Sequence, residues 1–161
     1  MQNIKIEIKW AIIFVVMSLI WMFLEKIAGL HSIRIDKHAT YTNLIAIPAV
    51  AIYMFSMLEK RKRFYKGVMT YRQGFMSGFI ITIIVTVFSP LTQFITSIII
   101  TPEFFQNMIS FAVSEGKMTQ SEAENYFNLK NYVIQGLIGA LAMGLLTTAI
   151  VSFFLRTKRE P

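Results

Sequence analysis

The chain has 161 residues, of which 55% are hydrophobic and only 16% are charged, against roughly 25% charged residues in an average soluble domain. It contains no cysteine, which excludes disulfide frameworks, thiolate metal sites and a cysteine nucleophile. Its net charge is +7, and because the basic residues border long apolar runs, we expect them to meet anionic lipid headgroups rather than nucleic acid.

The first uncharged interval runs from Trp10 to Leu24. A helix needs roughly 20 apolar residues to cross the hydrocarbon core, so we extend this span to about residues 7–29 and expect Lys9 and Lys26 to reach outward from the apolar layer. A cleaved signal peptide is the alternative, since basic residues precede the apolar run. No small-residue cleavage site follows, and we therefore favour an uncleaved helix.

Three further intervals predict three further spans. The second covers residues 39–58, with Pro48 near its middle, where a kink is expected. The third covers about residues 73–100; Pro90 predicts a kink there, and two shorter helices broken at this proline are an open alternative. The fourth covers residues 131–155 and ends at a basic tail.

The stretch 102–130 is the only substantial polar part of the chain and predicts an amphipathic loop on the membrane surface. Thr101, followed by proline and an acid, has the pattern of a helix N-cap. Gly116 predicts a helix end, and Thr119 with Glu122 fits a capping box that starts a second helix.

The predicted fold is all-α: a single membrane domain over residues 1–161 that forms a bundle of four transmembrane helices, with the amphipathic helical loop between the third and the fourth. An even number of spans puts both termini and the middle loop on one side of the membrane. That side has more basic residues, which places the termini in the cytoplasm by the positive-inside rule. The residues expected at anionic headgroups are Lys60, Arg61, Lys62, Arg63 and Lys66.

The stretch from Tyr65 to Phe105 combines a basic loop, the sequence YKGVMTYRQGFMSGF, a long apolar helix and the sequence TPEFF. Here the chain resembles the bacterial four-helix membrane protein family called domain of unknown function 4199 (DUF4199). The positions that carry the resemblance are Gly67, Thr70, Tyr71, Gly74, Phe75, Gly78, Pro102, Glu103 and Phe104. The resemblance implies a multi-pass protein of the bacterial inner membrane, without an established activity or catalytic residues.

Two stripes of small residues predict close packing of the third and fourth helices. The stripe on the third helix contains Gly74, Gly78, Thr82 and Thr86, and that on the fourth contains Gly136, Ala140 and Gly144. Small residues let helix backbones approach, and hydroxyls bond across the contact. We expect these faces to meet within one chain or between two copies. The polar side chains on the third helix, which are hydroxyls followed by the amide of Gln93, are also typical of a polar path. This stripe contains no ionisable residue, however.

Ionisable side chains inside a span mark functional sites, and the sequence offers few candidates. We interpret Glu25, at the end of the first helix, as an interfacial acid beside Lys26. We interpret His31 and His38 as surface loop residues, because two imidazoles with Asp36 do not make a convincing metal site, which needs three or four ligands in a defined geometry. No metal, cofactor or catalytic residue is therefore predicted.

The sequence contains no signature of a hydrolase, a nucleotide-binding protein or a zinc protease, so we do not expect an enzyme. The leading hypothesis is a non-catalytic component of the bacterial inner membrane that assembles with itself or with other membrane proteins through its small-residue helix faces. The alternative is a small transporter or channel subunit, with a hydroxyl-lined path along the third helix and helices interrupted by proline.

Overall fold

The computed structural model describes residues 4–157, and every regular element in that range is a helix. Four helical segments are long and apolar enough to cross a membrane: Lys5–Ile27, Ile35–Arg63, Tyr71–Ile100 and Leu129–Leu155. The predicted all-α membrane fold with four spans is thereby confirmed, and the chain is a membrane protein. The first segment is one uninterrupted helix, α1.

The second segment changes its helix type ahead of Pro48. Helix α2, Ile35–Tyr41, passes into a 3₁₀ turn, Thr42–Ile45, and then into α3, Ala46–Arg63. Pro48 lies in the first turn of α3 and near the middle of the span Ile35–Arg63, as predicted. It has no N–H to donate to a carbonyl of the preceding turn. The irregularity expected near Pro48 takes the form of the 3₁₀ turn Thr42–Ile45 directly before α3.

Helix α4, Tyr71–Ile95, begins at Thr70, which forms a reciprocal capping box with Gln73. The helix continues through Pro90, so the alternative of two helices broken at this residue is wrong. It departs from α geometry only afterwards, in a π-helical turn over Thr96–Ile100. The third span is therefore one continuous helical segment whose last turn is π-helical.

The polar stretch between the third and fourth spans forms α5, Phe104–Ser114, and α6, Gln120–Tyr126, before α7, Leu129–Leu155. The chain turns at Gly116, which has a φ of +64°, and the capping box that starts α6 at Thr119 is confirmed. The predicted N-cap at Thr101 is wrong, because its hydroxyl donates to the Thr96 carbonyl at 3.3 Å and thus closes the π turn.

The four spans form a bundle with two ends. The end where α1 and α4 begin and where α3 and α7 end is called the terminal end. There, Arg61 of α3 donates to the carbonyl of Leu155 of α7. We call the loop end the opposite one, which carries α2, α5 and α6. Helices α4 and α7 form the main contact of the bundle, and α1 and α3 pack against them around buried Tyr53, Met57 and Ile81.

Candidate functional site

The small-residue faces of α4 and α7 meet inside the single chain. A Cβ added to Gly78 would lie 2.6 Å from Thr148 Oγ1, and one added to Gly144 would lie 2.6 Å from Thr82 Cγ2. Each glycine therefore receives a threonine of the opposite helix, and the two backbones approach closely because neither glycine has a side chain.

The remaining members of the two stripes follow the same contact toward both ends. Near the terminal end, a Cβ on Gly74 would lie 3.3 Å from Ser152 Oγ; near the loop end, a Cβ on Gly136 would lie 3.0 Å from Ser89 Oγ. Ala140 is half-buried. Most of both predicted faces is thus occupied by the partner helix of the same chain.

The hydroxyl stripe of α4 is closed at its centre. Thr82 is fully buried; it donates to the carbonyl of Gly78 at 3.0 Å and lies 2.9 Å from the hydroxyl of Tyr53. Thr148 is also fully buried, and its Oγ1 lies 3.4 Å from Thr82 Oγ1. These hydroxyls bond to one another and to the backbone, which is how polar groups inside a helix bundle are stabilised. The hydroxyl of Thr86 is buried without a hydrogen-bond partner in residues 4–157.

A buried ion pair lies at the terminal end. Lys60 Nζ is 2.9 Å from Glu7 Oε1, and the two side chains are only 2% and 1% exposed. Ser77 of α4 donates to the same carboxylate oxygen at 2.7 Å. Lys60 was predicted at the lipid headgroups; that interpretation is wrong, because its ammonium group faces the inside of the bundle and joins α3 to α1.

The other basic residues of the middle loop lie around this pair. Lys62, Arg63 and Lys66 are exposed, whereas Arg61 is half-buried. Burial, followed by the negative charge of Glu7, raises the pKa of the Tyr65 hydroxyl in the same loop. Three of the five predicted headgroup residues are therefore positioned on the outer surface.

A second charged network joins α1 to α3 beside the buried pair. Lys9 and the indole N–H of Trp10 both bond the carboxylate of Glu59, the indole at 2.7 Å. Arg63 lies 3.4 Å from the same carboxylate. The first and second spans are thus held together at this end by two acids and their cationic partners.

The cluster at the loop end is formed by Glu25, His31 and His38. Glu25 Oε2 is 3.0 Å from His31 Nε2 and 3.5 Å from His38 Nδ1. Glu25 and His31 are each only 3% exposed, and His38 is 14% exposed. The interpretation of the histidines as surface loop residues is therefore wrong. Glu25, expected beside Lys26 at the end of the first helix, is buried against the two imidazoles.

A Schellman turn brings these residues together. The N–H of Leu30 donates to the carbonyl of Glu25, and that of Gly29 to the carbonyl of Lys26, each at 3.0 Å. Gly29 takes a φ of +78°, which a glycine adopts without strain. The chain reverses directly after α1, so His31 returns to the Glu25 carboxylate and α2 then places His38 beside it.

Side chains of α1 and α5 surround the cluster. Trp21 donates to Glu25 Oε1 at 2.6 Å, and Asn107 donates to the His31 carbonyl at 2.9 Å. The ring of Phe104 lies 5.1 Å from the ring of His31 and 5.0 Å from that of His38. A pocket of about 330 Å³ adjoins His31, and its other lining residues are Lys26, Ser32, Thr101, Pro102, Glu103, Phe104 and Asn107.

The positions that carry the family resemblance have separable structural roles. Gly67 has a φ of +95° in the turn before α4, Thr70 caps α4, and Tyr71 packs near Phe75. Gly74 and Gly78 face α7, as described above. The segment Pro102 to Phe104 borders the pocket beside the histidines, so this motif lies at the loop-end cluster.

Neither charged cluster is predicted from the sequence, because charged residues next to a span are typical end groups. A periodicity signal exists for Lys60: Tyr53, Met57 and Lys60 follow at helical spacing, and all three are buried. For the cluster at the loop end, the available signal is Gly29, a helix-ending glycine between Glu25 and His31.

The model of one protein family, described as "Protein of unknown function (DUF4199)", matches residues 9–157 of the chain and confirms the resemblance. No curated protein and no solved structure matches the chain.

Proposed function

The chain belongs to the DUF4199 family, whose description assigns no activity, and from this premise we propose a non-catalytic component of the bacterial inner membrane that assembles with further copies of itself or with other membrane proteins. Because the small-residue faces of α4 and α7 are largely occupied within the chain, we propose that the assembly contact lies on the outer surface of the bundle.

The observation that carries this proposal is an outward stripe on α7. Gln135 and Ala142 are exposed, and a Cβ on Gly139, between them, would meet nothing within 4 Å. The three positions follow at spacings of four and three, so they share one face. Small residues allow a second helix to approach, and a side-chain amide bonds across such a contact in the apolar layer.

The orientation that we propose has both termini in the cytoplasm. It is supported by the excess of basic residues at the terminal end, where Lys62, Arg63 and Lys66 are exposed and available to anionic headgroups. Reporter fusions at Lys62 and at Gly116 test it. A reporter that is active only in the cytoplasm should work at Lys62 and fail at Gly116, and the reverse result refutes this orientation.

Cysteine crosslinking tests the assembly, because the chain has no cysteine of its own. We expect the single variant A142C to form a disulfide-linked dimer in native membranes under mild oxidation. V87C is the matched control: Val87 is 70% exposed on α4, at about the same depth in the bundle. Equal crosslinking of both variants indicates random collision, and a strictly monomeric A142C contradicts self-assembly through α7.

The transporter alternative predicts flux through the bundle. The closed packing around Thr82 favours the assembly component over a path along α4. Ion and small-solute flux in liposomes that contain the purified protein distinguishes the two functions. Flux that bulky substitutions near Thr82 abolish contradicts the assembly proposal. Absence of flux through the protein supports it.

A further inference from the structure

We propose that Glu25, His31 and His38 form a binding site for a divalent transition metal ion of the zinc class. Within residues 4–157, this is the group of histidine and carboxylate side chains whose donor atoms all lie within 4.8 Å of one another. The inference is independent of whether the chain assembles with other copies.

The distances between the donor atoms fit a shared metal ion. Ligand atoms that surround zinc tetrahedrally at about 2.0–2.1 Å lie about 3.3 Å from each other. Glu25 Oε2 is 3.0 Å from His31 Nε2 and 3.5 Å from His38 Nδ1. These two separations lie on either side of the expected value. All three donor atoms lie within 4.8 Å of one another, so binding of one ion would draw the two imidazole nitrogens closer together.

Two of the proposed donor atoms, Glu25 Oε2 and His31 Nε2, are hydrogen-bonded to each other at 3.0 Å, and a shared metal ion would replace that bond. Trp21 occupies Glu25 Oε1 at 2.6 Å, which orients the carboxylate with Oε2 toward the imidazoles, as supporting groups do in known metal sites. His38 Nδ1 is buried and has no hydrogen-bond partner within residues 4–157. A bond to a metal ion satisfies this nitrogen and offsets the negative charge of the buried Glu25 carboxylate.

The donor set indicates the class of ion. Two imidazole nitrogens and one carboxylate oxygen suit Zn²⁺ and its transition-metal neighbours, whereas Ca²⁺ and Mg²⁺ prefer sites made of oxygen ligands. Three protein ligands leave a fourth position of the tetrahedron open. The pocket beside His31 provides room for a small ligand at that position. With the orientation proposed above, the site faces away from the cytoplasm.

Zinc binding to the purified full chain in detergent tests the site. The protein is prepared without a histidine tag, stripped with a chelator and titrated with Zn²⁺ alone, in competition with a chromophoric chelator. We expect one ion per chain. E25Q and H38A should each weaken Zn²⁺ binding by at least about 100-fold, since loss of a supporting group alone costs about 10- to 100-fold. D36N is the matched control and should bind within twofold of the wild type, because Asp36 is exposed.

Nitrogen NMR of the wild type provides a readout that does not depend on variants that fold. The chain has two histidines, and both belong to the site. On addition of Zn²⁺, coordination should appear at Nε2 of His31 and at Nδ1 of His38. Absence of stoichiometric Zn²⁺ binding, tighter binding of Ca²⁺ than of Zn²⁺, unchanged affinity in E25Q, or unchanged imidazole signals would each overturn the proposal.

Discussion

Replacing Gly78 by alanine tests the close approach of α4 and α7. The new Cβ would lie 2.6 Å from Met57 Cε and from Thr148 Oγ1, and 2.7 Å from Thr148 Cγ2. The methyl group of Met57 is flexible and can move. Thr148 is fully buried and β-branched, with few rotamers available, so the helices themselves have to separate.

The magnitude follows from comparison with Gly139, where a Cβ meets nothing within 4 Å. Both substitutions change helix propensity by the same amount, up to about 1 kcal/mol in favour of alanine. The difference between G78A and G139A therefore isolates overpacking, which costs about 1–3 kcal/mol in a well-packed interior. We expect G78A to be less stable than G139A by that amount.

The assay is unfolding of the detergent-solubilised monomer by increasing SDS mole fraction, followed by far-ultraviolet circular dichroism. The variant T148A, which removes both crowded atoms of the threonine, completes a double-mutant cycle. The substitution of Gly78 should cost about 1 kcal/mol less when Thr148 is already alanine, within the usual range for residues in contact. Equal stability of G78A and G139A, or additive effects in the cycle, refutes the contact.

Two further predictions concern charged groups. E7Q removes the carboxylate that pairs with buried Lys60 and should lower the free energy of unfolding by about 3–5 kcal/mol. The double variant E7Q/K60M should recover part of this loss in the same SDS titration. A double variant that is less stable than E7Q contradicts the ion pair. At α6, the backbone N–H and the hydroxyl of Thr119 lower the pKa of Glu122 below its ordinary value of 4.5. The stabilisation of α6 by the Glu122 carboxylate is therefore fully present above pH 4.5 and is lost as the pH falls through the lowered pKa. Amide hydrogen exchange in α6, corrected for its intrinsic pH dependence, should accelerate over that pH range in the wild type. It should not accelerate in E122Q, whose side chain does not titrate. Identical profiles in the two proteins argue against the cap.

The parts of the fold that depend on local sequence were predictable. The spans follow from uncharged length, which the bilayer thickness determines. The start of α6 at Thr119 follows from a capping box four residues long. Pro48 predicted an irregularity near the middle of the second span, but its form, a 3₁₀ turn over Thr42–Ile45 before α3, does not follow from the proline alone.

The two charged clusters depend on tertiary structure and were not predictable by the same means. Glu7 and Lys60 are 53 residues apart in sequence, and each, read alone, is an ordinary end charge. Glu25 and His31 meet only because the turn at Gly29 reverses the chain. Burial of such groups depends on which neighbours the bundle provides, and hydropathy along one helix contains no information about those neighbours.

The Glu7–Lys60 pair has a consequence for the order of biosynthesis. When α1 is made, Glu7 does not yet have its partner Lys60, which follows only at the end of the second span. We therefore expect the first two spans to reach their final positions together, as a hairpin. A chain shortened to begin after Ala11 would keep Lys60 without its counter-ion, and we expect it to be degraded before the later helices can pack.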